Sequence, residues 1–196
     1  MRHNILHLTA TDKKYTKEDF VFFWGHTNKG DGVNKACLSQ WYPCSFTVDG
    51  LTYNCAEQFM MAKKARIFND ESIREQIMRE TDQMTIKKLG RKVTGFDGAI
   101  WEGERYDVVF KGNEAKFSQN PHLREFLMST GNKILVEVSP KDTIWGIGLD
   151  EFNPDALDPR KWRGKNLLGF TLMDVRQRLK EEHAKTRHAR PVRQVL

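Results

Sequence analysis

Ser45-Phe46-Thr47-Val48-Asp49-Gly50-Leu51-Thr52-Tyr53-Asn54-Cys55-Ala56-Glu57-Gln58-Phe59-Met60-Met61-Ala62-Lys63-Lys64-Ala65 changes its periodicity once, at Asn54. Before that point, Ser45–Val48 and Leu51–Tyr53 flank Asp49-Gly50, the two-residue signal of a type I′ hairpin. After it the pattern is helical. Asn54 is the expected N-cap of a helix over 55–68, with Phe59, Met60 and Ile67 on its apolar side. A hairpin that runs directly into a helix predicts an α+β fold.

Working outward, Phe20–Trp24 reads as a buried strand ending in the loop Gly25-His26-Thr27-Asn28-Lys29-Gly30-Asp31-Gly32, and Ile134–Val138 alternates as a second strand. Asp70 and Asp82 are expected helix caps, and Trp101–Phe117 carries helical spacing through Arg105, Val108, Val109 and Gly112. Pro121 suits the first turn of a helix that Gly131 ends. Asn166 is the expected cap of a last helix whose core positions are Leu168, Leu172, Val175 and Leu179. Three segments follow. Residues 1–19 form an irregular N-terminal arm, 20–182 a single compact helix-rich α+β domain with a small antiparallel sheet or hairpin, and 183–196 a basic disordered tail.

The chain has 196 residues, enough to bury a core without disulfides. Its apolar fraction of 39%, with 14 glycines, excludes a disordered or fibrous protein. The net charge of +6 is lopsided, with seven Lys/Arg against two Asp/Glu in residues 176–196. It therefore describes a tail and not a binding face. No apolar run approaches a membrane span, so no membrane partner is expected. Cys37, Cys44 and Cys55 contain no C-x-x-C pair, and the histidines lack metal-ligand spacing. The expectation is a metal-free and cofactor-free protein of the cytoplasm or another reducing compartment.

Signatures of phosphate-loop, dinucleotide and nucleophile-elbow enzymes are missing. What recurs is tryptophan beside glycine, in Trp24-Gly25, Trp145-Gly146-Ile147-Gly148 and Trp162-Arg163-Gly164-Lys165-Asn166. Glycine admits close backbone approach and indoles stack on flat rings, which suits a nucleobase bearing ribose and phosphate; plain packing at turns uses the same residues. Glu57 and Lys64 are seven residues apart and share a helix face, with Met60, Met61 and Phe68 nearby. They could be a desolvated acid–base pair or a solvated surface pair. Asp142, leaving a strand ahead of Trp145 and Gly146, could hold a ribose hydroxyl pair or close an Asx-turn.

Taken together, Leu38-Ser39-Gln40-Trp41-Tyr42-Pro43, Tyr53–Ala65, Lys116-Phe117-Ser118-Gln119-Asn120, Asp142–Gly148 and Trp162–Gly169 resemble the NADAR (YbiA-like N-glycosidase) family over roughly residues 21–179. The resemblance implies a metal-free N-glycosidase of helix-rich α+β fold. It places the catalytic glutamate on Glu57, the helix lysine on Lys64, and the site's tryptophan and aspartate on Trp101, Trp145 and Asp142. Some members hydrolyse phosphoribosylamino-pyrimidine intermediates of riboflavin synthesis; others remove ADP-ribose from guanine in nucleic acid. Ser39-Gln40-Trp41-Tyr42-Pro43 looks more like the second branch, which puts Gln40 among the substrate-binding residues with Trp24, Gly25, Gly146, Arg163 and Asn166. Implied partners are ADP-ribosylated nucleic acid or a ribosylated base as substrate, and ADP-ribose as product. An unprotonated Lys64, its proton loss favoured by Lys63 and Arg66, would attack the opened sugar and form a Schiff base, with Lys35 as the rival nucleophile. The alternative reading is a module that binds ADP-ribose or nucleic acid without cutting it.

Overall fold

The computed structural model describes residues 3–28 and 30–188. In chain order the elements are α1 (Ile5–Thr9), β1 (Phe20–Phe23), β2 (Phe46–Val48), β3 (Leu51–Tyr53), α2 (Ala56–Ile67), α3 (Glu71–Arg79), α4 (Gln83–Arg91), α5 (Gly98–Gln119), α6 (Pro121–Ser129), β4 (Ile134–Glu137) and α7 (Leu167–His188). Short 3₁₀ turns at Lys17–Asp19, Lys35–Leu38, Pro154–Leu157 and Pro159–Lys161 link them.

The hairpin forms as its turn residues require. Asp49 and Gly50 both take positive φ, 52° and 78°, and β2 pairs antiparallel with β3 through Phe46↔Tyr53 and Val48↔Leu51. The chain then enters α2, capped one residue later than Asn54. The Cys55 sulfur accepts from the Gln58 N–H, while the Asn54 N–H donates to the Gln58 side chain. Almost every residue of the first two turns of α2 is buried, because the helix is packed against α3, α4 and α5. A helix enclosed on several sides has no clean polar face, which is why its apolar residues are not confined to one stripe. Asp70 and Asp82 cap α3 and α4 as expected, and Pro121 opens α6.

β1 and β4 form a second, separate sheet, and they run parallel, with Phe20 opposite Ile134 and Phe23 opposite Glu137. The hairpin and α2–α6 together make the crossover between them. Local sequence signals the two strands but not their partnership, and α7 packs against β4. This strand pair ends where the site begins.

Two expectations about the termini are corrected. Residues 3–19 of the arm are not wholly irregular. It carries α1 and a 3₁₀ turn, and Tyr15 ties it down by packing on Phe20 and donating to the Leu8 carbonyl. His3 meets the buried carboxylate of Asp174 on α7. At the other end, helix α7 continues beyond residue 182 to His188, and residues 189–196 of the expected tail lie outside the described residues. Cys37, Cys44 and Cys55 are free thiols, with burial pushing Cys37 up to about 12 and Cys55 to about 11. Among the described residues no helix is long and apolar enough to cross a membrane.

Candidate active site

A cavity of about 680 Å³ opens between α2, α4, the end of β1 and the loop that leaves β4. The first turns of α2 form its floor. Glu57 is only 4% exposed, yet its side chain lines the cavity together with Met60, Met61 and Lys64. The helix places Lys64 two turns beyond Glu57 on the same face, as the seven-residue spacing requires.

The segment before the hairpin is clamped against α5 and α2. The Ser39 carbonyl accepts from the buried Lys116 ammonium at 2.8 Å, and the Gln40 side-chain oxygen accepts from Asn113 at 2.7 Å. The Gln40 carbonyl in turn accepts the Glu57 N–H at 2.9 Å, an otherwise orphan donor in the first turn of α2. These bonds register Trp41 beside Glu57, where its indole hydrogen-bonds the carboxylate. His26 lies 5.5 Å from the Trp41 ring, and the Lys87 ammonium stands over that ring at the same distance.

Burial pushes Glu57 up to about 7, against the pull of Lys87, the Trp41 hydrogen bond and Arg91. Lys64 is moved in the opposite direction: burial and then the Arg91 charge hold its pKa below the ordinary lysine value. Its Nζ donates to the Gly90 carbonyl at 2.8 Å and lies 4.2 Å from the Phe96 ring. Gly90 makes room for Met61, because a Cβ there would stand 1.9 Å from the Met61 sulfur and the Met61 side chain would have to move. The site thus has a carboxyl group and an amine that both change protonation closer to neutrality than free side chains do.

The whole of this arrangement falls inside one domain model. The NADAR domain model matches residues 22–180, which contain every wall of the cavity. The chain belongs to the NADAR family. N-glycosidase R617 of Acanthamoeba polyphaga mimivirus is 44% identical over 165 residues, covering 82% of this chain and 96% of the viral protein. Protein irg-1 of Caenorhabditis elegans is 44% identical over 188 residues, covering 85% and 84%. The NMR structure of Escherichia coli YbiA superposes with a TM-score of 0.70 and 26% identity, over 94% of this chain and 96% of that one.

Within the NADAR domain, the residues singled out from sequence divide into two sets. Glu57, Lys64, Trp24, Gly25, Gln40, Asp142 and Trp145 all line the cavity. Asp142 closes the expected Asx-turn, its Oδ1 accepting from the Ile144 and Trp145 N–H groups, and the residue also lines the cavity. Trp101 stands behind Lys64, 5.9 Å from its ammonium, and does not itself line the cavity.

Besides Trp101, three expected binding residues are outside the lining. Gly146 is buried, and a Cβ there would lie 2.8 Å from the Glu137 carbonyl, so its role is close backbone packing. Asn166 is fully buried; its side chain accepts from the Glu137 N–H and donates to the Leu135 carbonyl, gluing α7 to β4. Arg163 is exposed away from the cavity and contributes its N–H to the Ile147 carbonyl. The neighbouring Trp162 donates to the Ala156 carbonyl, which marks the third Trp-Gly segment as structural. The cation that lowers the Lys64 pKa is Arg91, not the expected Lys63 and Arg66, and Lys63 pairs with Asp49. Lys35 pairs with Glu151 and is not part of the lining.

The cavity also holds residues that sequence reasoning left unassigned, namely Trp41, Lys87, Arg91, His26 and Glu137. Lys87 and Arg91 are four residues apart on α4, an ordinary solvated spacing with nothing to announce a site. Glu137 did carry a signal, as an acidic residue inside the buried run Ile134-Leu135-Val136.

Proposed function

We propose that this NADAR domain is an N-glycosidase that removes ADP-ribose from guanine in nucleic acid. The observation that carries this reading is the buried Glu57 carboxylate on the floor of a cavity that combines indoles with cations. Trp24, Trp41 and Trp145 offer flat faces for a base, and Lys87, Arg91 and Lys141 are cations in the lining that form no direct salt bridge among the described residues. A purine joined to a pyrophosphate-bearing sugar needs both. The relatives R617 and YbiA bear the name N-glycosidase, which supports the reaction class.

Cleavage of the base–sugar bond builds positive charge at C1′ and negative charge on the departing base. Glu57, poised near 7, faces the positive charge and takes a proton from the incoming nucleophile. Lys64 supplies the covalent route. With the ribose opened, its unprotonated amine adds to C1′, the base departs, and the lysine imine that remains is hydrolysed by water.

The test is incubation with ADP-ribosylated guanine DNA and, separately, with a phosphoribosylamino-pyrimidine, following released sugar. Release from the first is expected, and Glu57→Gln should lower it by about 10³-fold while folding normally. Release from the pyrimidine substrate alone would move the domain to the riboflavin-intermediate reading. Tight binding with no release from either would leave a binding module.

A further inference from the structure

Glu137 is used by nothing described so far. It is the last residue of β4, and its backbone is fixed on both sides: its N–H donates to the Asn166 side chain and its carbonyl accepts the Ile147 N–H. Its side chain lines the same cavity as Glu57, and its Oε2 is shut off from solvent with no hydrogen-bond partner. A buried carboxylate oxygen without a donor is costly when ionised, whereas a protonated carboxyl can offer its hydrogen to a ligand.

We infer that Glu137 is the general acid of the reaction, delivering its carboxyl proton to the departing base nitrogen; this rests on the N-glycosidase reading above. As the C1′–N bond breaks, its electron pair stays on nitrogen and the Glu137 proton joins it. Glu57 takes the proton released by the nucleophile, water or the Lys64 amine, as the new bond to C1′ forms. Solvent then restores the proton to Glu137.

The surroundings separate the two carboxyl groups. Glu57 has the Trp41 hydrogen bond and the Lys87 and Arg91 charges to favour its ionised form. Glu137 faces Asp142 from its own loop and Glu57 from α2, with only Lys87 of α4 opposing them, and it is pushed up to about 8 by burial and these two carboxyl groups. The remaining charged or titratable groups of the lining, Lys64, Arg91, Lys141 and His26, are not what moves it. The carboxyl group with cations about it is the better base, and the one whose buried oxygen has no donor is the better acid.

The decisive experiment is the pH dependence of kcat/KM on ADP-ribosylated guanine DNA for the wild type and Glu137→Gln. The wild type is expected to lose activity above a limb near the Glu137 value of about 8. Glu137→Gln should be slower by about 10²- to 10³-fold and should lack that limb. Turnover within a few-fold of wild type overturns the inference, and so does a slow variant that keeps the limb, since a merely structural residue would not carry it. If Glu137→Gln does not fold, carboxyl ¹³C titration of the glutamate-labelled wild type decides. Two glutamates still protonated at pH 6 are expected; one or none overturns the assignment. Wild-type protein that releases no base from either substrate class would instead overturn the N-glycosidase reading itself.

Discussion

Lys64 on α2 and Lys116 on α5 are near copies of one another in local chemistry. Each donates to a backbone carbonyl at 2.8 Å, Lys64 to Gly90 and Lys116 to Ser39. Each ammonium lies beside two aromatic rings, Phe96 and Trp101 for the first, Tyr42 and Phe117 for the second. Burial lowers the pKa of both. They differ in access: Lys64 lines the cavity, whereas Lys116 is 0% exposed and holds the Ser39–Trp41 segment in place. A perturbed lysine is therefore a nucleophile or a fastener according to what can reach it.

Breaking that comparison at Lys64 gives the largest effect. Lys64→Arg keeps a cation that cannot form an imine, and turnover should fall by about 10³-fold with little change in Tm. Borohydride added during wild-type turnover should trap a sugar on Lys64, located by mass spectrometry. An adduct on Lys35, which is tied to Glu151 outside the cavity, would contradict the geometry.

The second prediction concerns the stability cost of the Glu57 carboxylate, two turns before Lys64 on α2. Glu57 has a folded pKa of about 7 against an ordinary 4.5, so the folded state binds the extra proton between those values. Stability must then fall as pH rises through that window. Glu57→Gln removes the cost, and at pH 8.5 it should be more stable than wild type by up to about 3 kcal/mol, the advantage vanishing below about pH 5. Chemical denaturation at the two pH values measures it, and an advantage independent of pH would show that Glu57 is not held protonated by the fold.

At Lys116 the expected outcome is reversed. Lys116→Met strands the Ser39 carbonyl and should cost about 2 kcal/mol of stability. Activity should drop only as far as Trp41 and Gln40 lose their placement, about tenfold in KM with kcat largely kept. Loss of kcat to the extent seen at Lys64 would erase the distinction between the two lysines.

The smallest effects fall on the Trp-Gly segments, which repeat the lesson with a different residue. Trp24 is 64% exposed at the mouth of the cavity, so Trp24→Ala should raise KM by about three- to tenfold without moving Tm. Trp162→Phe removes the bond to the Ala156 carbonyl and should lower stability by about 1 kcal/mol with KM unchanged. Binding isotherms and thermal melts on the two variants separate the roles.

What the amino-acid sequence determined by itself was everything that depends on near neighbours. The Asp49-Gly50 turn, the Asp70 and Asp82 caps, the helix start at Pro121 and the seven-residue spacing of Glu57 and Lys64 follow from local sterics, hydrogen bonding and helix pitch. Local composition alone could not say which Trp-Gly segment faces a ligand, because stacking on a base and packing in a core use the same residues. Nor could it pair β1 with β4, which are more than a hundred residues apart along the chain. The tertiary structure decided those questions, and it assembled the rest of the site. Lys87 and Arg91 of α4, Trp41 from the loop before the hairpin and Glu137 at the end of β4 meet Glu57 only after α2 has been enclosed. Their influence on one another is electrostatic, acting through a space that low dielectric makes short and that no spacing along the chain records.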